Sequence, residues 1–281
     1  MAVIALVGVP GAPGVTSTAL ALLRMWPVEH GRRVLLAECC PDGGAVLAGA
    51  LQSRLTADRG LHNLAASRRT VSLQDAFWTQ LVRISDEDRR DDPARMLLPG
   101  LTSPSEAAGL APEWGAIADL FVGIDRIEQH GHDVLLDLGR NGAFGPARVL
   151  AQRADLVLLV MRSTLRSLHM ASARARMLTS LLDGEGRRSG RLGVLLITEG
   201  PYAAREVEDH LQVPVVASLP FRPQEAAVLS DGAAENKRFR ESRLMRAVLD
   251  ASTPIRQRVA SQRARVASPL HQRMMGGADA R

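Results

Sequence analysis

Residues Ala5 to Leu20 read ALVGVPGAPGVTSTAL, and this stretch decides the fold. The apolar run Val3 to Val7 reads as a buried strand. A turn holding Gly8, Gly11 and Gly14 follows, and Thr16, Ser17 and Thr18 open an apolar helical run. A glycine-rich turn between strand and helix aims backbone N–H groups and a helix N-terminus at one point, which suits an anion. A standard phosphate-binding loop adds a lysine just after its last glycine. Val15 stands there, and the chain's one lysine is Lys237. The residues placed to meet an anion are Gly11, Ala12, Pro13, Gly14, Val15, Thr16 and Ser17. Pro13 has no N–H to donate. Thr16 stands where the hydroxyl of such a loop holds Mg²⁺. One missing charge-assisted phosphate contact is worth roughly 1.5–3 kcal/mol, or about one to two orders of magnitude in affinity. The alternative is a glycine turn that packs a helix on a sheet and binds nothing.

The rest of the chain repeats this strand–helix alternation. Val34 to Ala37, Met96 to Leu98, Val134 to Leu136, Leu156 to Met161, Val194 to Ile197 and Val213 to Ala217 read as further strands. Several are apolar on both faces, as in a parallel sheet covered by helices on each side. Helices are predicted over Thr16 to Met25, Leu73 to Val82, Trp114 to Gln129, Arg166 to Leu182 and Ala203 to Leu211. The fold class is therefore α/β: a doubly wound, mostly parallel sheet of about seven strands flanked by helices. The charge run Ser85 to Arg95 and the polar stretch Gly184 to Gly190 read as loops.

Composition bounds the remainder. The chain has 281 residues, 46% of them hydrophobic but only 3% aromatic, so Leu, Val, Ala and Ile must build the core. Met1 to Val7 lacks the basic start of a secretory signal, and no apolar stretch reaches the roughly 18 residues of a membrane span. Cys39 and Cys40 are adjacent, a poor geometry for a disulfide, and no metal-ligand cluster surrounds them. A cytoplasmic protein is expected. Charge is uneven: residues 236–281 carry eleven basic and three acidic residues, whereas the whole chain nets only +5. The expected division is a domain over 1–250 and a basic tail over 251–281, partly helical or disordered. Such a tail suits DNA or an acidic membrane surface, or is a solvated helix with no partner.

Two more segments end strands with acids. Glu38 follows Val34 to Ala37 and leads into Pro41-Asp42-Gly43-Gly44; Asp137 ends the run Asp133 to Asp137. Ligands of open α/β sheets bind at such carboxyl ends. Asp137 has the position of a Walker-B aspartate near Mg²⁺.

In order along the chain, these segments resemble the ParA/MinD group of deviant P-loop ATPases. The family's K-G-G-x-G-K-[ST] is met by Pro10-Gly11-Ala12-Pro13-Gly14-Val15-Thr16, its D-x-D-P-x-G by Glu38-Cys39-Cys40-Pro41-Asp42-Gly43, and its D-x-[PG] by Asp137-Leu138-Gly139. Ala154 to Val160 resembles the family's AD-x-V-L-x-V strand, and Val213 to Pro220 its V-P-V-L-G-x-I-P segment. The resemblance spans roughly residues 1–240. It implies ATP and Mg²⁺ as ligands, with Thr16 and Asp137 on the metal side. It also implies a nucleotide-gated homodimer that positions or assembles a protein partner or cargo, such as a chromosome, plasmid, division site or secretion machine.

The departures are as specific as the matches. The family's signature lysine is Pro10, its loop lysine Val15, and its water-side aspartate Cys40; its base-contacting asparagine appears as Thr198 or Glu199. The resemblance thus implies a degenerate ATP site with little or no hydrolysis, and no catalytic residue is assigned. Arg140 and Arg162 lie just past strand ends and are either substitute cations or ordinary surface arginines. The competing readings are a slow Mg-ATPase using Thr16 and Asp137 with a substitute arginine, an ATP-dependent amide ligase, and a scaffold or DNA-binding protein acting through its tail.

Overall fold

The computed structural model describes residues 1–11, 14–28, 31–53, 58–67, 71–84, 94–103, 105–127, 130–183 and 190–276. Its strands are β1 (Ala2–Gly8), β2 (Arg33–Glu38), β3 (Val82–Arg83), β4 (Arg95–Leu98), β5 (His132–Asp137), β6 (Leu156–Arg162), β7 (Leu192–Thr198) and β8 (Val215–Pro220). They form one sheet in the order β3-β4-β2-β5-β1-β6-β7-β8. All neighbours pair in parallel except β3 with β4. The helices are α1 (Val15–Met25), α2 (Leu61–Ser67), α3 (Leu73–Gln80), α4 (Glu106–Leu110), α5 (Trp114–Ile127), α6 (Arg148–Arg153), α7 (Leu165–Asp183), α8 (Ala204–Leu211), α9 (Pro223–Ser230) and α10 (Arg243–Gly276).

The period-two geometry of a strand explains why β1 is apolar throughout. Val3, Ala5 and Val7 point to one face and pack with Phe121 and Ile124 of α5 and Leu168 and Ala171 of α7. Ala2, Ile4 and Leu6 point to the other and pack with Leu20, Leu22 and Leu23 of α1 and Met245, Val248 and Ile255 of α10. Both faces are covered, so neither side chain set has to be polar. The β1 register sets the site described below: Leu6 lies opposite Asp137 on β5 and Leu158 on β6.

Most predicted elements are present, with four differences. The sheet has an eighth strand, the two-residue antiparallel edge β3, so the helix predicted to Val82 stops at Gln80 and Val82 joins the sheet. The strand predicted over Val213 to Ala217 runs instead over Val215–Pro220. Pro214 has no N–H for the ladder, although its carbonyl accepts from Val194 N at 2.8 Å. The short helices α2, α4, α6 and α9 go beyond the sequence expectation, because five to eight residues give too little periodicity. The span Glu106–Arg126 is 21 residues long and apolar enough to cross a membrane by length and composition. It exceeds the expectation that nothing reaches that length. Here Trp114, Ile117, Phe121 and Ile124 are buried in the core. Most of the charge run Ser85 to Arg95 and of the stretch Gly184 to Gly190 lies outside the described residues.

The helix α10 crosses residue 250 without a break and is 34 residues long. Its buried positions Met245, Val248, Ala251, Ser252, Ile255, Val259 and Gln262 recur every three or four residues. That spacing defines one helical face laid on the sheet. It holds the helix through Pro254, whose missing N–H would by itself favour a break. At its far end Arg263 forms a fork with Asp155, Nε to Oδ1 at 2.9 Å and Nη2 to Oδ2 at 2.6 Å. The boundary drawn at 250 therefore lies inside this helix, and residues 251–263 pack with the domain.

Candidate nucleotide-binding site

The carboxyl ends of β1, β2, β5, β6 and β7 open onto one edge, with the β1–α1 turn in the middle. Gly8 ends β1, and its N–H donates to Gly139 O at 2.8 Å, which joins this turn to the one after β5. A side chain at Gly8 is excluded: its Cβ would sit 2.5 Å from Val15 Cγ2. Gly11 and Gly14 take φ of +72° and +133°, conformations that favour glycine. Gly14 caps α1 without a side-chain hydrogen bond, so the first-turn N–H groups have no side-chain acceptor at that cap. Ala12 and Pro13 lie outside the described residues.

Thr16 and Asp137 meet. Asp137 is 1% exposed and accepts a hydrogen bond from the Thr16 hydroxyl and one from Gly139 N at 2.8 Å. Burial raises its pKa, and those two hydrogen bonds oppose the rise. The pair marks the corner where a loop hydroxyl and a strand-end carboxylate would share a divalent cation. Ser17 lies one residue on and lines an adjoining cleft. Val15, in the place of the loop lysine, is buried against Gly8. A buried valine folded over the strand end supplies packing and no charge.

The remaining predicted positions divide. Glu38 lies beside Asp137 in the β2–β5 register, but its carboxylate holds loops rather than facing outward. Oε1 accepts from Ala45 N at 2.8 Å and Val46 N at 3.0 Å, and Oε2 accepts from Gly100 N at 3.2 Å. Burial pushes its pKa up to about 7; these backbone bonds pull it down and the Asp137 charge adds to the rise. Cys40 is half-buried, and burial lifts its thiol to about 11. At neutral pH it is a protonated thiol, which does not act as a general base. Cys39 is fully buried with its pKa raised.

Beside the loop lies a cleft of about 270 Å³, lined by Gly14, Ser17 and Thr18 from the loop side and by Ile197, Leu219, Phe221, Arg222 and Leu229 from the other. Its size is near the lower end of the ~300–1,000 Å³ of small-molecule pockets. Ile197, rather than Thr198 or Glu199, lines it. Thr198 Oγ1 donates to Leu219 O at 3.2 Å, and Glu199 Oε2 accepts from Arg162 Nη1 at 2.8 Å. Arg162 also lies over the Phe221 ring, 5.0 Å from its centroid. Arg140 passes its stem beside Gly8, and its backbone carbonyl accepts from Arg174.

One residue absent from the sequence reading reaches the loop. Arg166, in the first turn of α7, lays its guanidinium against Gly11. Nothing in its local sequence marks it, because the contact joins two turns that follow different strands. The apolar cleft wall from β8 and α9 was equally illegible, since it becomes a wall only when β8 closes the sheet.

Neither a protein-family model nor a curated protein sequence matches the chain. Solved structures do match. A ParA family ATPase from Chlorobium tepidum superposes with a TM-score of 0.66 at 17% identity, covering 90% of this chain and 98% of that one. The septum site-determining protein MinD from Pyrococcus horikoshii, complexed with Mg-ADP, gives 0.61 at 17% identity over 90% and 95%. The MinC:MinD cell division protein complex of Aquifex aeolicus gives 0.62 at 16% identity over 92% and 96%. With the sheet order and the strand-end loop in place, the chain has the fold of the ParA/MinD-type P-loop ATPases.

Proposed function

We propose that this protein is a ParA/MinD-like spatial-organisation or assembly factor whose nucleotide seat is degenerate, binding Mg-nucleotide weakly and hydrolysing it slowly or not at all. The observation that carries this reading is the Thr16–Asp137 hydrogen bond beside the Gly8–Gly14 turn. That pair suits a divalent cation, and the uncapped first turn of α1 suits phosphate oxygens. The adjoining cleft suits a nucleobase. ATP and Mg²⁺ fit the donor set on the metal side only: Val15 and Pro10 bring no charge to the phosphates. When bound, Mg²⁺ would supply charge neutralisation at the β- and γ-phosphates. The chain's own residues orient the phosphates through backbone N–H groups and hold the carboxylate of Asp137 in place. Cys40 offers no base for water, which favours a switch or a scaffold over rapid turnover.

A solved structure of the same fold is a MinC:MinD cell division protein complex, which supports a protein partner for this chain. Arg243, Arg246 and Arg265 of α10 are exposed and are offered as basic groups for DNA or an acidic surface.

Titration calorimetry with Mg-ATP and Mg-ADP tests the reading. The native protein is expected to bind weakly, and Val15→Lys to bind about 10- to 100-fold more tightly, since one charge-assisted phosphate contact is worth that much. No heat of binding from either protein would remove the nucleotide seat. Brisk hydrolysis by the native protein would remove its degeneracy.

A further inference from the structure

We propose that Arg166 replaces the missing loop lysine, presenting its guanidinium to the phosphates of the nucleotide. This rests on the nucleotide reading above and names the group that supplies its charge.

Three arginines compete for the role by position. Arg162 is already engaged: Nη1 donates to Glu199 at 2.8 Å, and the guanidinium stacks on Phe221. Arg140 runs its stem past Gly8, its Cγ 3.6 Å from the site of a Gly8 Cβ. Its charge lies near that of Arg174, where the two repel. Arg166 differs from both. Its Nε and Cζ lie 3.0 Å and 3.1 Å from where a Cβ on Gly11 would be. The guanidinium therefore occupies space that exists because residue 11 is glycine. Among the described residues Arg166 makes no hydrogen bond or ion pair, and it is exposed. A fork of five donors thus rests on the phosphate turn, with none of them engaged among the described residues.

The chain geometry explains how a distant residue reaches the loop. β6 lies next to β1, with Gly8 paired to Val160. The turn after β6, Ser163-Thr164, starts α7 beside the turn after β1. It is held there by Arg162 N donating to Ser167 Oγ at 3.0 Å and by Ser163 Oγ donating to Gly200 O at 3.1 Å. A guanidinium pairs with two phosphate oxygens at once, which a lysine cannot do. Its reach from outside the loop also explains how an apolar Val15 is tolerated. The loop keeps its packing while the charge comes from α7.

The test is Mg-ATP, Mg-ADP and Mg-AMP binding by titration calorimetry on the full chain, with Arg166→Ala, Arg166→Lys and the double variant Arg166→Ala/Val15→Lys. Arg166→Ala is expected to weaken Mg-ATP and Mg-ADP binding about 10- to 100-fold. Mg-AMP, with no β-phosphate, is expected to change less than threefold. Arg166→Lys should keep part of the affinity. The double variant is expected to bind about as tightly as native, the gain from Val15→Lys offsetting the loss from Arg166→Ala; the contrast between Mg-ATP and Mg-AMP separates a phosphate contact from a merely structural arginine. Thermal melts check that each variant is folded; Arg166 is exposed, so its removal leaves no cavity. The proposal is overturned if Arg166→Ala binds Mg-ATP within threefold of native, or if AMP and ATP weaken equally. If the native protein binds no nucleotide, the seat itself falls, and the assignment of Arg166 with it.

Discussion

Cutting the chain before Ala251 is expected to lower its melting temperature by roughly 10–20 °C, whereas ending it after Arg265 leaves melting nearly unchanged. The buried face of α10 accounts for the difference. Ile255 is fully buried and Val259 is 4% exposed. Each such side chain stabilises by about 1.5–3 kcal/mol, with Ala251 adding less. The cut also removes two donors to Gly190 O, from Gln262 at 2.6 Å and Arg258 at 3.0 Å. It leaves Asp155 without its Arg263 fork, although Val3 N still donates to Asp155 Oδ2 at 2.7 Å. Against a total stability of about 5–15 kcal/mol, a loss of roughly 3–6 kcal/mol is large. Differential scanning calorimetry of the two truncations decides it. Equal melting of both would mean that α10 does not pack as described. The same arithmetic bears on any test of DNA binding. Removing the whole basic segment would destabilise the domain and weaken binding for an unrelated reason. Replacing Arg243, Arg246 and Arg265 with serine, and measuring the salt dependence of binding, separates the two causes.

The second large effect is a fall in stability of about 3 kcal/mol between pH 4.5 and pH 7, centred on Glu38. Its folded pKa is about 7 against an ordinary 4.5. Below 4.5 the group is protonated in both states. Between the two values the unfolded chain loses its proton and the folded chain keeps it. The stability associated with the protonated form is therefore fully present below about 4.5 and lost as pH rises through 7. Asp137, buried with its pKa raised, pushes in the same direction. Glu38→Gln removes one ionisation and is expected to flatten the curve. Its amide oxygen can still accept from Ala45 and Val46, but its amino group then faces the Gly100 N–H, donor against donor. The variant should thus be less stable than native at pH 5 and equal or better at pH 7.5. Urea melts at both values measure this. Parallel curves for variant and native would show that Glu38 ionises freely. A bound divalent cation at Asp137 would relieve part of the same repulsion, so added Mg²⁺ should stabilise the native protein more at pH 7.5 than at pH 5.

How much was legible in the sequence depends on the range of the interaction involved. The turn with Gly8, Gly11 and Gly14 was legible because positive φ and close approach restrict single positions to glycine. The central strands were legible because burial on both faces leaves an apolar run with no polar partner. The short helices and the edge strand β3 were not, since a few residues carry little periodicity. Glu38 shows the limit within the site. Its place at a strand end suggested a ligand, whereas its hydrogen bonds to residues 45, 46 and 100 make it a clasp between two loops.

Local pattern alone determined the α/β alternation, the parallel core, the place of the glycine turn and the absence of lysine from it, because each follows from neighbours a few residues apart. Only the tertiary structure decided that Thr16 touches Asp137, that Val15 folds over Gly8, that Arg162 is engaged with Glu199 and that Arg166 lies on Gly11. Apart from the Val15–Gly8 contact inside the first turn, each of those contacts joins turns that follow different strands. Strand order sets their distances, and no local spacing encodes strand order.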